Sequence, residues 1–198
     1  MVSEESPYFS STEERLQQAD LLRGVRAFQL NSFNGDQPIG RVHHYDHAVV
    51  MSQDCDLEQD FKARSVVDGT GNTADKLLFS VILCGAYTEA SLKAGRHRTG
   101  AAAFSGKEWK PVTQNKQPRY QYLGHVPGIS DPLVVDFKDY FFVPGEFIYA
   151  ELQEKRATRI SNVREPWRDQ ILQRFGFYLI RVGLPLEFSQ VAPAASPS

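Results

Sequence analysis

The sequence predicts an α+β domain in which a small, strongly bent antiparallel β-sheet carries a C-terminal amphipathic helix. Short apolar runs separated by polar turns recur through the first 150 residues, a pattern typical of antiparallel strands. Only one stretch has a clear helical period, and it lies near the C-terminus. Because strands and helix are segregated along the chain rather than alternating, the pattern favours this class over a parallel α/β fold.

The apolar runs place the strands. A first strand is expected at 21–30, interrupted by Gly24, and residues 31–38 have the Asn-Gly-Asp and Pro chemistry of a turn. Further strands are expected near 47–52, 77–84, 119–123, 132–142 and 146–150, with a polar loop at 68–75.

The helical period predicts a helix over about 165–182. Pro166 suits its first turn, and Gly183 suits its end. The apolar positions recur at spacings of four, four, three and four and form one stripe: Trp167, Ile171, Phe175, Tyr178 and Val182. We expect the first three to anchor the helix in the core.

Length and composition predict one folded domain. The chain has 198 residues, of which 41% are hydrophobic, which suffices for a sizeable core. Residues 1–14 are rich in Ser and Glu and are expected to be a flexible N-terminal segment. Residues 189–198 have the composition of a disordered tail, so the domain is expected at 15–188.

The charge balance excludes some classes of protein. A net charge of −2 argues against a protein that coats nucleic acid with its whole surface. No stretch approaches the roughly 18 apolar residues that span a bilayer, and no secretory signal is visible. With only two cysteines, Cys55 and Cys84, we expect reduced thiols in a soluble, cytoplasmic, bacterial-type protein without a membrane partner or a cofactor.

The segment 48–60 is the most informative part of the chain, because an apolar run ends there in a hydroxyl, a thiol and two carboxylates. The candidate catalytic residues are Ser52, Asp54, Cys55 and Asp56. Such strand ends often carry functional side chains.

Three chemistries are open for this segment. Cys55 could be a nucleophile with His43, His44 or His47 as base and an Asp to orient that base, although the flanking carboxylates disfavour a thiolate. Ligands for zinc are present, but no spacing fixes their geometry, so no metal site is predicted. In the third interpretation Asp54 and Asp56 cap a turn or accept backbone hydrogen bonds after the strand, and Cys55 packs inward. We expect Asp54 or Asp56 to matter more than the thiol.

A basic segment lies at 93–119, where seven Lys or Arg residues stand against the single acid Glu108. Clustered cations with interleaved aromatic rings suit a single-stranded nucleic acid, since cations bind phosphates and rings stack on bases. The candidate nucleic-acid-binding residues are Arg96, Arg98, Lys107, Trp109, Lys110 and Arg119. The alternative is a long solvated loop.

The order of these elements resembles a known family. The segments Ala-Asp-Leu-Leu-Arg-Gly-Val at 19–25, Val-Val-Met-Ser at 49–52 and Ala-Thr-Arg-Ile at 157–160, followed by the terminal helix, are similar to the MazF/PemK toxin family. The resemblance implies a small, partly closed β-barrel with a packed helix, and it implies RNA cleavage.

Two functions from different classes therefore remain open. The first is a nucleic-acid-associated β-barrel, a toxin-like or defence-related domain that binds or cleaves single-stranded RNA as a ribonuclease-like hydrolase. The second is a non-catalytic protein-interaction subunit of a larger bacterial complex. That subunit would dock through the C-terminal helix or through Tyr140–Phe142, of which at least one ring should point outward.

Overall fold

The computed structural model describes residues 6–65, 74–98, 100 and 103–180. Within these ranges the chain forms seven strands, five α-helices and one short 3-10 turn (Ala74–Lys76). In chain order the elements are β1 (Tyr8–Phe9), β2 (Leu21–Asn34), β3 (Gln37–Val50), α1 (Asp54–Ser65), β4 (Ser80–Thr88), α2 (Glu89–Lys93), α3 (Gly106–Thr113), β5 (Tyr120–Gly124), β6 (Leu133–Pro144), α4 (Gly145–Gln153), β7 (Thr158–Val163) and α5 (Trp167–Leu179).

The seven strands form one antiparallel sheet in the order β1-β7-β2-β3-β4-β6-β5. The sheet is bent so strongly that its two edge strands approach each other. The hydroxyl of Tyr8 in β1 donates a hydrogen bond to the carbonyl of Leu123 in β5. No backbone ladder joins these edges, so the sheet is open rather than a closed barrel. The α+β prediction with a bent sheet and a C-terminal helix is confirmed.

Both faces of the sheet are covered outside residues 28–42 of β2 and β3. On one face Ile171 and Phe175 of α5 pack in a cluster around Phe137. On the other face α1 and α4 contribute Leu57 and Ile148 to a second cluster. A smaller third cluster joins α2, α3, β5 and β6, with Leu92, Trp109, Val112, Tyr120 and Val134.

Several expected elements differ from the observed ones. The turn expected at 31–38 is confined to Gly35 and Asp36, so β2 and β3 are each 14 residues long. Residues 54–65 form helix α1, and the strand expected at 146–150 is helix α4. The flexible segment expected at 1–14 contains strand β1, because Tyr8 buries its ring in the first cluster.

Helix α5 confirms most of the predicted stripe. Ile171 and Phe175 are buried, but Trp167 is 40% exposed, so its expected role as a core anchor is wrong. The helix begins at this residue, and its ring borders an open cavity together with Tyr8, Leu123 and Val163. Val182, Gly183, most of the 68–75 loop and the 189–198 tail lie outside the described residues.

A buried carboxylate holds α4 to the hairpin of β2 and β3. Glu151 is fully buried, accepts two hydrogen bonds of 2.6 Å from Arg26 and accepts one of 2.7 Å from Arg156. The hydrogen bonds from Arg26, followed by those from Arg156, lower the pKa of Glu151 to about 2, against the opposing effect of burial.

This lowered pKa predicts a dependence of stability on pH. Because the folded-state pKa lies below the unfolded value, the contribution of Glu151 is complete above about pH 5 and is lost as the pH falls toward 2. Glu151→Gln should therefore destabilise the protein at pH 7, and the difference from wild type should shrink between about pH 5 and about pH 3. Urea titrations across this pH range measure the difference in the free energy of unfolding between the variant and the wild type. Glu146→Gln, which changes an exposed carboxylate, is the control. A difference that does not change with pH would contradict the assignment.

Candidate functional site

A cleft of about 450 Å³ opens between β3 and the end of β4. Its walls are residues 43–47 of β3, residues 86–88 of β4, Ser91 and residues 95–98. The cleft exists because β4 pairs with β3 only from His47 onward, which leaves the preceding part of β3 without a neighbour on that side among the described residues.

The turn after α2 brings two arginines to this cleft. Thr88 caps α2, its hydroxyl accepting a hydrogen bond from the backbone N–H of Ser91. Gly95 then adopts a φ of +68°, a left-handed conformation that glycine tolerates best. Ser91 fixes the returning chain, because its hydroxyl donates to the carbonyl of Arg96 at 2.6 Å. The segment from Arg96 to Arg98 thereby lines the cleft.

A large bulge in β6 supplies a buried carboxylate beneath the cleft. In the β4–β6 register Cys84 pairs with Tyr140 and Ala86 with Val135, so one residue of β4 faces four residues of β6. The bulge turns Asp139 into the interior, where it is 3% exposed. Gly85 makes room for it, since a Cβ there would lie 2.5 Å from the Asp139 Oδ2.

Asp139 organises two phenols and an arginine. Tyr45 donates to its Oδ1 at 3.3 Å, Tyr87 donates to its Oδ2, and Arg98 Nε lies 3.4 Å from Oδ1. Arg98 also donates from Nη1 to the Tyr45 hydroxyl at 2.5 Å and from its backbone N–H to the Tyr87 hydroxyl at 3.3 Å. Burial, together with Asp139, raises the pKa of both tyrosines, so both phenols stay protonated donors at pH 7.

Three histidines of the cleft have lowered pKa values and are therefore mainly neutral at pH 7. Burial is the largest cause for each of them. The charge of Arg98 adds to it at His43 and that of Arg23 at His47, whereas His97 also feels nearby Asp136 and Arg119. A neutral imidazole can accept a proton, which is the property of a general base.

A second cleft of about 380 Å³ adjoins the first and shares Asp46, His47 and Thr88 with it. Its other walls are Arg23, Gly24 and residues 128–130, and Arg23 donates to the Gly128 carbonyl at 3.0 Å. We call the two adjoining clefts the histidine groove. Arg96 and Arg98 line the first cleft, Arg23 lines the second, and His47 lines both.

The described part of the chain contains no group of three or more His, Cys, Asp or Glu side chains that could hold a metal ion.

The predicted catalytic residues at 52–56 do not line the histidine groove. Ser52 is buried and its hydroxyl accepts a hydrogen bond from the Ile82 N–H at 2.9 Å. Asp54 binds Arg15 through two hydrogen bonds of 3.0 and 3.1 Å. Burial by itself would raise the pKa of Asp54, but Arg15 and the Gln18 N–H lower it.

Cys55 and Asp56 are exposed in the first turn of α1 and do not line the histidine groove. The inward packing considered for Cys55 is therefore wrong, because the start of α1 turns the thiol to solvent. Asp54 acts as the structural interpretation expects, since it accepts a backbone hydrogen bond, from Gln18. Cys84 is buried in the core.

The predicted nucleic-acid-binding residues divide into three groups. Arg96 and Arg98 line the groove, and Lys107 and Lys110 are exposed on α3. The remaining two have structural roles, with Trp109 only 6% exposed and Arg119 bound to the buried Asp136 at 2.6 and 2.8 Å.

The stacking role expected for Trp109 is not compatible with its burial, because α3 packs the indole into the third cluster and Lys93 lies over its ring at 4.9 Å. The long solvated loop considered for 93–119 is also wrong, because α3 is a capped helix there. Its cap, Ser105, accepts from the Glu108 N–H, and the Glu108 carboxylate accepts from the Ser105 N–H.

The aromatic run of β6 alternates as expected. Phe141 is buried and stacks on Tyr45 at 4.0 Å, whereas Tyr140 and Phe142 are 42% and 54% exposed. Two rings of this strand are therefore partly exposed, and the ring of Tyr140 also lies beside that of Phe175.

None of the described helices is long and apolar enough to span a membrane. The resemblance to the MazF/PemK family stays a prediction that rests on the sequence segments quoted for it. Comparisons of the chain with protein-family models, with curated proteins and with solved structures found no match.

Proposed function

We propose that this chain binds single-stranded RNA in the histidine groove and cleaves its phosphodiester bonds. One observation carries the proposal: two adjoining clefts that share His47 are lined by neutral imidazoles together with Arg96 and Arg98 in the first cleft and Arg23 in the second. Arginines bind phosphates, and neutral histidines can remove the proton of a ribose hydroxyl.

Binding follows from the positions of Arg96, Arg98 and Arg23. Consecutive phosphates of an extended strand would meet a cation in each of the two clefts. Arg98 is held in place by Asp139 and two phenols, so little side-chain freedom is lost when it binds a phosphate.

Cleavage would follow the chemistry of a 2′-hydroxyl attack. The imidazole of His47 takes the proton of the 2′-hydroxyl, whose oxygen forms a bond to phosphorus while the bond from phosphorus to the 5′-oxygen breaks. His43 is not assigned this role, because its Nε2 accepts a hydrogen bond from Arg41 at 3.0 Å. The departing 5′-oxygen takes a proton from water. Arg98 would stabilise the added negative charge on the phosphoryl oxygens. The products are a 2′,3′-cyclic phosphate and a 5′-hydroxyl.

A second candidate function is protein interaction without catalysis. It is favoured by the exposed rings of Tyr140 and Phe142 on β6 and of Phe177 on α5, which is 59% exposed. Exposed aromatic side chains are frequent anchors of partner proteins. For either function we propose a cytoplasmic location, where the free thiols of Cys55 and Cys84 would stay reduced.

A salt titration of binding separates the two functions. If three arginines contact phosphates, the logarithm of the affinity for a short single-stranded RNA should fall with the logarithm of salt at a slope of about −2. Affinity should then drop roughly 20-fold between about 50 and about 200 mM salt. Fluorescence anisotropy with a labelled RNA measures this. An absence of binding at about 50 mM salt would remove the RNA proposal and leave protein interaction.

A matched pair of variants locates the contact. Arg96→Gln should weaken binding and make the slope less steep by about 0.7, the share of one phosphate contact. Lys107→Gln, an exposed cation of α3 outside the groove, should leave both values near wild type. An equal effect of the two changes would mean that RNA is attracted by overall charge and not bound in the groove.

A further inference from the structure

The hairpin of β2 and β3 extends beyond the rest of the sheet. β7 pairs with β2 only over residues 21–23, and β4 pairs with β3 only over residues 47–50. We call residues 28–42 the arm. Within the described residues it is a two-stranded ribbon with exposed side chains on both faces. Such a ribbon is at best marginally stable alone in water.

One face of the arm is apolar. Phe28 pairs with Val42, Leu30 with Gly40 and Phe33 with Pro38. Directly opposed residues lie on the same face of a ribbon. A bulge between Leu30 and Ser32 adds one residue to β2 and thereby returns Phe33 to the face of Phe28 and Leu30. Phe28 and Phe33 are 63% and 64% exposed, so this face is apolar along the whole arm and lies open to solvent.

The two edges of the arm are poor places for another strand to pair. Pro38 has no N–H to donate, and the bulge after Leu30 interrupts the regular ladder positions of β2. These features disfavour the addition of another strand at either edge of the arm. The apolar face is therefore the surface on which a partner would pack. The apolar face of one sheet can pack against the apolar face of another, with their side chains interdigitated.

We propose that two copies of this chain pack face to face through their arms. Asp36, at the tip, is the only charged residue between positions 28 and 40, so a second copy brings almost no like charge to the contact. A two-fold axis that runs the arms antiparallel keeps the two Asp36 carboxylates apart. Each tip then lies toward the base of the partner arm, where the exposed His44 continues the same face and its strand neighbour Arg26 is held by Glu151. A partner of opposite charge would find little on this face to bind.

The contact would also support the histidine groove, because β3 contributes both to the arm and to the groove. Residues 43–47 follow the arm directly and form one wall of the groove. The proposal does not depend on RNA binding, since it rests only on the exposure, the pairing and the charge of the arm.

Sedimentation velocity over a hundredfold range of protein concentration tests the proposal. The wild-type chain should sediment as a dimer at the upper concentrations. Phe28→Ser combined with Phe33→Ser should shift the dissociation constant at least tenfold toward monomer. Phe142→Ser combined with Phe177→Ser, which alters two rings of similar exposure outside the arm, should leave the dimer intact.

A wild-type chain that stays monomeric at every concentration would overturn the proposal, whatever the variants do. So would dissociation by the Phe142 and Phe177 changes in place of the arm changes, because the contact would then lie at β6 and α5. Far-ultraviolet circular dichroism checks that each variant is folded.

Discussion

Replacing Phe175 by alanine should lower the free energy of unfolding by about 3–5 kcal/mol. The side chain is only 5% exposed, and its ring lies 5.6 Å from the centroid of Phe137 and 6.1 Å from that of Tyr140. Removing it leaves a cavity between α5 and the sheet. Urea denaturation monitored by circular dichroism measures the loss.

Phe177→Ala is the matched control, because the same residue type on the same helix is 59% exposed. Its cost should stay below about 1 kcal/mol. Equal losses for the two variants would mean that α5 does not pack on the sheet through the face containing Ile171 and Phe175.

Asp139→Ala should cost about 3–5 kcal/mol at pH 7, the loss expected when one member of a buried charged network is removed. The change leaves the guanidinium of Arg98 without its carboxylate and leaves the hydroxyls of Tyr45 and Tyr87 without their acceptor. Because Arg98 is then no longer held at the groove, RNA cleavage by the protein that remains folded should also fall, by about 100-fold or more.

Asp131→Ala is the control for this change, because this carboxylate is exposed in the loop before β6. It should change stability by less than about 0.5 kcal/mol. A stable Asp139→Ala variant with wild-type cleavage would show that Arg98 is positioned by other contacts.

The fold was predictable where apolar spacing is regular. Ile171 and Phe175 lie four residues apart, and this period marks α5 correctly because both side chains face the sheet. Helix α4 was read as a strand because Phe147, Ile148 and Tyr149 favour strands locally. Only Ile148 of these three is fully buried, so the helix is determined by tertiary packing.

Helix α1 was missed for a different reason. Its buried positions are Leu57, Asp60 and Ala63, a spacing of three that fits a helix but includes a charged residue. Asp60 is buried because it binds Arg64 and accepts the N–H of Leu78. Because the sequence does not show that Arg64 and the Leu78 N–H bind Asp60, the polar segment resembles a loop.

The candidate site was harder to predict than the fold. The clustered side chains at 52–56 suggested a site because they are adjacent in sequence, yet helix α1 turns them to different surroundings. The groove instead joins Tyr45, Tyr87, Arg98 and Asp139, which come from three strands and a turn. Of these four only Arg98 was predicted, because nothing in the sequence around Asp139 indicates that a bulge will bury it beneath the groove.

Photo-cross-linking of a single-stranded RNA that contains 4-thiouridine tests the central claim most directly, because it reports where on the chain the RNA lies. After binding at low salt, irradiation and digestion, mass spectrometry identifies the attached peptides. The groove predicts cross-links in peptides that contain residues 41–47 and 95–98. Cross-links concentrated on α3 around Lys107 and Lys110, or none at all, would contradict it.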